Sequence, residues 1–159
     1  MRVGIGYDSH RFGSERPLIL GGVPIPHDTG LSGHSDADVV AHAVTDAILG
    51  AAGLGDIGTH FPPTDEQWRD ADSIGMLRAA AGLLAGRNYQ VVNIDVTVVC
   101  ETPRVAPYAP AMRTHLADAL GIGSQHVSIK GKSNEGMGWV GRHEGIAAIA
   151  VALVSTVDG

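Results

Sequence analysis

The sequence predicts an α/β sandwich, with a mixed sheet and helices packed on one of its faces. Three observations predict it. Strand-like and helix-like periodicities alternate along the chain. Hairpin-like strand pairs at both ends call for antiparallel neighbours beside any parallel pairing. The segment 90–100 sets Asn93, Asp95 and Thr97 against Ile94, Val96 and Val98, a strand with one polar and one apolar face. One face of the sheet is left without helices, so it is solvated or buried against another subunit.

Each element has its own signal. Residues 2–8 read as a strand. PLILGGVPIP (17–26) reads as two short strands joined through Gly21-Gly22. Thr29-Gly30 and Ser32-Gly33 mark a loop. A helix over 36–53 follows, with Ser35 or Asp36 as its cap and Gly53 and Gly55 at its end. Its residues Val40, Ala43, Val44, Ala47, Ile48 and Ala51 recur at helical spacing. Residues 55–72, punctuated by Gly55, Gly58, Pro62 and Pro63, form a long polar loop, a kind that is often functional. A second helix covers 73–86 from a Ser73 cap. A third covers 108–120, after Pro107 and up to Gly121. Strands at 126–131 and 144–156 flank a loop at 132–141. No internal repeat or linker interrupts the series, so 1–159 reads as one domain.

Composition narrows the function. The chain has 159 residues and a formal net charge of −6, which disfavours nucleic acid and anionic membrane as partners. Its one cysteine, Cys100, excludes an internal disulfide and fits a reducing, cytoplasmic setting. No apolar run is long enough for a membrane span, and no leader is expected. Aromatic residues make up only 4% while glycine and alanine abound. Such a core packs closely but buries little area per residue, which favours oligomerisation.

Asp8 and His10 stand two apart in a strand and so share a face. On the first helix Asp38, His42 and Asp46 recur at i, i+4 and i+8 in an otherwise apolar stretch. Asp8, His10 and His42 around one zinc ion would leave a fourth tetrahedral position open, with Asp46 taking the other ring nitrogen of His42. A hydrogen-bonded Asp–His cluster without metal is the competing reading. His34 and Ser35, in GHSDAD, precede the helix, where free N–H groups suit an anion or an ordinary cap. The loop GDIGTHFPPTD offers close backbone approach to a ligand, or only a connection. CETPRVAP carries Arg104 beyond a strand. KGKSNE offers Lys130, Lys132, Ser133 and Glu135, a set that suits a phosphate with a hard divalent cation as well as it suits a solvated loop. Arg142 and Glu144 read as a structural ion pair. Trp139 and Phe61 either wall a pocket or anchor their loops.

With these motifs in place the chain resembles the 2-C-methyl-D-erythritol 2,4-cyclodiphosphate synthase family over essentially its whole length. The carriers are RVGIGYDSHRF, LILGGVPIP, GHSDADVVAHAVTDAILGAAGLGDIGTHFPPTD, NIDVTVVCETPRVAPY and SIKGKSNEGMGWVGRHEGIA. The resemblance implies a homotrimer with active sites between subunits. It implies zinc on Asp8, His10 and His42, and Mg2+ or Mn2+ held by Glu135 at the substrate diphosphate. It places Asp56, Gly58, Phe61, Pro62, Pro63, Thr64 and Asp65 on the methylerythritol part, and counts Asp8, His10, His34, Ser35, His42 and Ile57 among the substrate contacts. It places Cys100, Glu101, Thr102, Pro103, Arg104, Val105, Ala106, Lys132, Ser133, Asn134 and Glu135 on the cytidine diphosphate side, and adds Trp139 and Arg142. His34 and Ser133 are implied to support the transition state. A cavity on the trimer axis, near Arg142 and Glu144, is implied to admit an isoprenoid diphosphate. Three positions depart from the family pattern, in which Asp is usual at Pro63, Lys at Arg104 and Thr at Lys132. A zinc phosphoester hydrolase and a non-catalytic trimeric metal-binding scaffold are the alternatives.

Overall fold

A five-stranded sheet in the order β4-β1-β7-β5-β6 organises the protein, and three long helices cover one face of it. The structure is a computed structural model, and it describes residues 1–157. Strand β1 (Arg2–Ser14) pairs antiparallel with β7 (Gly145–Thr156) from Arg2↔Val154 to Arg11↔Gly145. β7 pairs antiparallel with β5 (Tyr89–Val99), and β5 pairs parallel with β6 (Val127–Lys132). The sheet is therefore mixed, as the sequence predicts. Strands β2 (Leu18–Leu20) and β3 (Val23–Ile25) form the separate hairpin through Gly21-Gly22.

Local details differ from the sequence reading for identifiable reasons. β1 runs on to Ser14 because its far end pairs with β4 (Gly30–Leu31), which the sequence reads as loop. Helix α1 (Val39–Ala52) is capped by Asp38, not by Ser35 or Asp36. Ala37 sits at φ +59, in the left-handed region, so no helix can pass through it. The Asp38 carboxylate is fully buried and accepts from the N–H groups of Val40, Ala41, Gly21 and Gly22, so one side chain caps the helix and ties down the β2–β3 turn. Helix α2 (Ile57–His60) and a single 3-10 turn (Glu66–Trp68) break up the long 55–72 connection. Asp72 caps α3 (Ser73–Ala85), because the amide and hydroxyl of Ser73 are engaged by Asp36. α4 spans Ala109–Leu120 and ends on Gly121 in the left-handed conformation. A short α5 (Gly138–Gly141) occupies part of the predicted 132–141 loop.

Closeness of packing decides where the site forms. Gly4 and Gly6 of β1 face α1, and a Cβ on either would collide with the backbone carbonyls of Ala47 and Ala43 respectively. Ala148, Ala150 and Ala152 of β7 lie fully buried on the same side. Strand and helix therefore meet almost backbone to backbone. Two residues of strand advance about 6.6 Å and four residues of helix about 6 Å, so the two ladders stay in step. Gly4 lies at Ala47 and Ala51, and Gly6 at Ala43 and Ala47. One step further, Asp8 meets His42.

The other face of the sheet is open in the single chain. Val3, Ile5 and Tyr7 of β1 are 69%, 71% and 55% exposed, and Ile149 and Val151 of β7 lie beside them. Towards β5 and β6 this face turns polar, with Asp95 ion-paired to Lys130.

Candidate active site

Asp8, His10 and His42 converge. Asp8 Oδ2 lies 3.0 Å from His10 Nε2 and 3.1 Å from His42 Nδ1, and the two ring nitrogens are 3.4 Å apart. Among the described residues this is the group whose ligand atoms come within metal-binding reach of one another. The remaining ring nitrogens are anchored: His10 Nδ1 faces the Ser32 carbonyl at 2.8 Å, and His42 Nε2 faces Ser73 Oγ at 2.8 Å. Two imidazoles and a carboxylate, aimed at one point and held from behind, fit a tetrahedral zinc ion with one open corner. Asp46 does not hold His42. Its Oδ1 accepts the Ile57 N–H at 2.7 Å, which fastens α2 to α1. Both ring nitrogens of His42 are already engaged, Nδ1 by Asp8 and Nε2 by Ser73, so neither is left for Asp46.

Electrostatics bind the cluster together. Burial pushes the Asp8 carboxyl up, but hydrogen bonds and charge from His10 and His42 outweigh it and bring it down to about 2. His10 moves the other way. Burial lowers it, and the Asp8 carboxylate with the Ser32 carbonyl raises it above the usual imidazole value. A lowered carboxyl contributes stability that is complete above its unfolded value and is lost as pH falls toward the folded one. A raised imidazole contributes stability that is complete below its unfolded value and is lost as pH rises through the folded one. Metal-free protein is therefore expected to lose on the order of 2 kcal/mol between about pH 4 and pH 2 from Asp8 alone. Asp8→Asn should flatten that acid limb in urea unfolding followed across pH.

The triad closes one end of a cleft of about 290 Å³ whose other walls include His34, Ser35, Ile57, Gly58, Phe61 and Pro63, with Trp68 and Met76. His34 Nε2 lies 3.4 Å from the Asp65 carbonyl. Asp65 caps the 3-10 turn through the Gln67 N–H, and Asp56 caps α2 through the amide and hydroxyl of Thr59. Pro62 and Thr64 complete the stretch between these caps. Phe61 and Trp68 meet edge to face with centroids 4.9 Å apart, so Phe61 both walls the cleft and anchors its loop. Trp68 and Met76 were not among the sequence candidates. Trp68 lies in a polar stretch without apolar periodicity, and Met76 reads simply as core of α3.

A second hollow of about 300 Å³ is lined by Cys100, Glu101, Pro103, Arg104, Val105, Ala106, Gly131, Lys132 and Ser133. Thr102 lies within the same 100–106 turn. The two hollows share no lining residue. Glu101 accepts the N–H groups of Asn134 and Gly136 at 2.9 and 3.1 Å, and so holds the 133–136 loop closed. The Ser133 hydroxyl donates to Glu135 at 3.1 Å, and Glu135 takes a left-handed φ of +52. Burial and the neighbouring Glu101 push the Cys100 thiol up to about 11, and its Sγ donates to the Pro103 carbonyl. A thiol raised in this way and buried in the hollow's wall is poorly suited to act as a nucleophile. Trp139 borders a shallow pocket with Ser9, His10, Arg11 and Glu144, and Arg142 is ion-paired to Glu144 at 2.6 Å as expected. No described helix is long and apolar enough to cross a membrane.

The profile of the YgbB family matches residues 1–155. A protein of Symbiobacterium thermophilum named 2-C-methyl-D-erythritol 2,4-cyclodiphosphate synthase is 59% identical over 155 residues, which are 98% of this chain and 99% of that one. Among solved structures, the bifunctional IspDF of Campylobacter jejuni superposes with a TM-score of 0.95 at 39% identity, over 99% of this chain and 42% of that one. The CDP complex of Plasmodium falciparum IspF superposes with a TM-score of 0.86 at 33% identity, over 99% and 97% of the two chains. The chain belongs to the YgbB family, the 2-C-methyl-D-erythritol 2,4-cyclodiphosphate synthases.

Proposed function

We propose that this protein cyclises 4-diphosphocytidyl-2-C-methyl-D-erythritol 2-phosphate to 2-C-methyl-D-erythritol 2,4-cyclodiphosphate and releases CMP. The observation that carries this reading is the convergence of Asp8, His10 and His42 at the head of a cleft. An oxygen of the substrate's own 2-phosphate, already ionised at neutral pH, attacks the β-phosphorus. The bond from that phosphorus to the oxygen bridging it to the α-phosphate breaks, and the bridging oxygen leaves with CMP as a phosphate oxygen. Because attacker and target are tethered, positioning replaces a protein nucleophile. Asp8, His10 and His42 would hold a zinc ion, which when bound would supply Lewis-acid polarisation of a phosphoryl oxygen.

The chain's own residues do the rest. Asp56, Ile57, Gly58 and the 61–65 stretch orient the methylerythritol part. His34 and Ser133 donate to oxygens that gain charge in the transition state. The 100–106 turn, Lys132 and Asn134 take the cytidine and its phosphates, and Glu135 provides a carboxylate for Mg2+ or Mn2+ at the diphosphate. A CDP complex of a solved relative supports a cytidine ligand. Arg104 keeps the positive charge of the usual lysine and presents a planar fork to phosphate. Pro63 lines the cleft and carries no carboxylate, so any sugar contact there is apolar or made by its carbonyl.

The split between the two hollows supports a site completed by a neighbouring subunit. The open apolar face formed by Val3, Ile5, Tyr7, Ile149 and Val151 supports a homotrimer that buries it. Phosphorus NMR of the purified protein with substrate, zinc and magnesium tests the reading. Signals of the cyclic diphosphate and CMP are expected. Inorganic phosphate would instead mark a zinc phosphoester hydrolase, and unchanged substrate a metal-binding scaffold; either would overturn it.

A further inference from the structure

Behind His42 lies a chain of hydrogen bonds that the cyclisation does not use. Ser73, the first residue of α3, has no exposed surface, and its Oγ stands 2.8 Å from His42 Nε2. The Ser73 hydroxyl lies in turn against Asp36 Oδ1, and its backbone N–H donates to Asp36 Oδ2 at 3.0 Å. Asp36 is fixed as well, since its Oδ1 accepts the Asp38 N–H at 3.1 Å and its own N–H donates to the Ala71 carbonyl. Ser35 Oγ is a more distant neighbour of the same ring nitrogen, at 3.1 Å.

We propose that Ser73 and Asp36 are positioning residues for His42: the carboxylate of Asp36 claims the Ser73 proton, so Ser73 Oγ accepts from His42 Nε2–H and turns Nδ1 toward Asp8 and His10 as a ligand. The direction follows from proton inventory. An ionised carboxylate only accepts, and a serine hydroxyl has one proton to give. Once that proton goes to Asp36, the remaining role of Ser73 Oγ toward the ring is acceptor. A histidine whose Nε2 holds the proton offers the lone pair of Nδ1, and Nδ1 is the nitrogen that faces Asp8 Oδ2. The relay also joins the segment before α1 to the start of α3, so it fixes the ring's orientation across two elements. The inference rests on the metal reading of the triad and adds to it the groups that hold the third ligand.

Ser73→Ala removes the acceptor and leaves every ligand in place. Zinc affinity, measured by competition with a chromophoric chelator, is expected to fall by about 10- to 100-fold, the usual effect of losing such a supporting group. In 1H–15N NMR of the zinc-loaded protein, the His42 Nε2–H signal should move upfield or vanish into exchange. The His10 Nδ1–H, bonded to the Ser32 carbonyl, should stay where it is and serves as the internal control. Affinity equal to the parent's, or loss of both imidazole signals together, would overturn the relay. If Ser73→Ala does not fold, Asp36→Asn, which keeps the volume but not the anion, is expected to weaken zinc binding in the same direction, and parity with the parent would overturn the proposal. A parent chain that takes up no zinc would overturn the metal reading and the relay together, whereas zinc held equally by parent and variant would overturn the relay alone.

Discussion

His42→Ala protein is expected to purify without zinc and to turn over the cytidyl substrate about a thousandfold more slowly or worse. A bound Lewis acid contributes several kcal/mol to stabilising phosphoryl charge, and each 1.36 kcal/mol is a factor of ten in rate. His42 is 8% exposed and supplies one of three ligand atoms, so alanine leaves Asp8 and His10 with two donors and a void. Two donors do not make a tetrahedral zinc site with one open corner. Atomic absorption on the purified variant, alongside steady-state kinetics with and without added zinc, reads both effects. Full zinc content would remove His42 from the ligand set and with it the present account of the site. Loss of zinc with turnover intact would separate the metal from the chemistry.

Gly6→Ala is expected to be as damaging although it touches no ligand. The added Cβ would land on the carbonyl of Ala43 and crowd the amide of Ala47, both helix backbone, which cannot rotate aside. Overpacking of this kind costs about 3 kcal/mol or more where backbone must shift. For a domain of this size that lowers the melting temperature by about 6–12 °C. α1 would have to move away from β1, and His42 would withdraw from Asp8. Weaker zinc binding with all three ligands present is the signature to look for, by chelator competition on protein that calorimetry shows to be folded. Unchanged affinity would mean that the strand–helix contact does not set the ligand distances.

Some of this architecture lies open in the sequence and some does not. The pairing of Asp8 with His10 follows from strand alternation, and the buried His42 follows from its apolar helix, because both periodicities are local. The mixed sheet is legible for the same reason. The supporting partner of His42 is not. Helical spacing suggests Asp46, but the ring's Nε2 is taken by Ser73, 31 residues away across a long connection. The helix starts were also displaced. Ser35, Asp36 and Asp38 are all competent caps, and only the left-handed Ala37 and the hairpin amides of Gly21 and Gly22 select Asp38. The separation of the cleft at Asp8, His10 and His42 from the hollow at 100–106 and 131–133 is tertiary information, set by which strand ends the loops leave. Motif spacing along one dimension does not carry it.

Under the proposed function, the acceptor role of Glu101 toward Asn134 and Gly136 bears on how a charged ligand would be received. A glycine-bearing turn that must be immobilised on association subtracts its lost freedom from affinity, at about 0.5–1.5 kcal/mol per ordered side chain. Here that freedom is already spent when the chain folds, so under the function proposed above the turn would meet an incoming diphosphate as a finished mould.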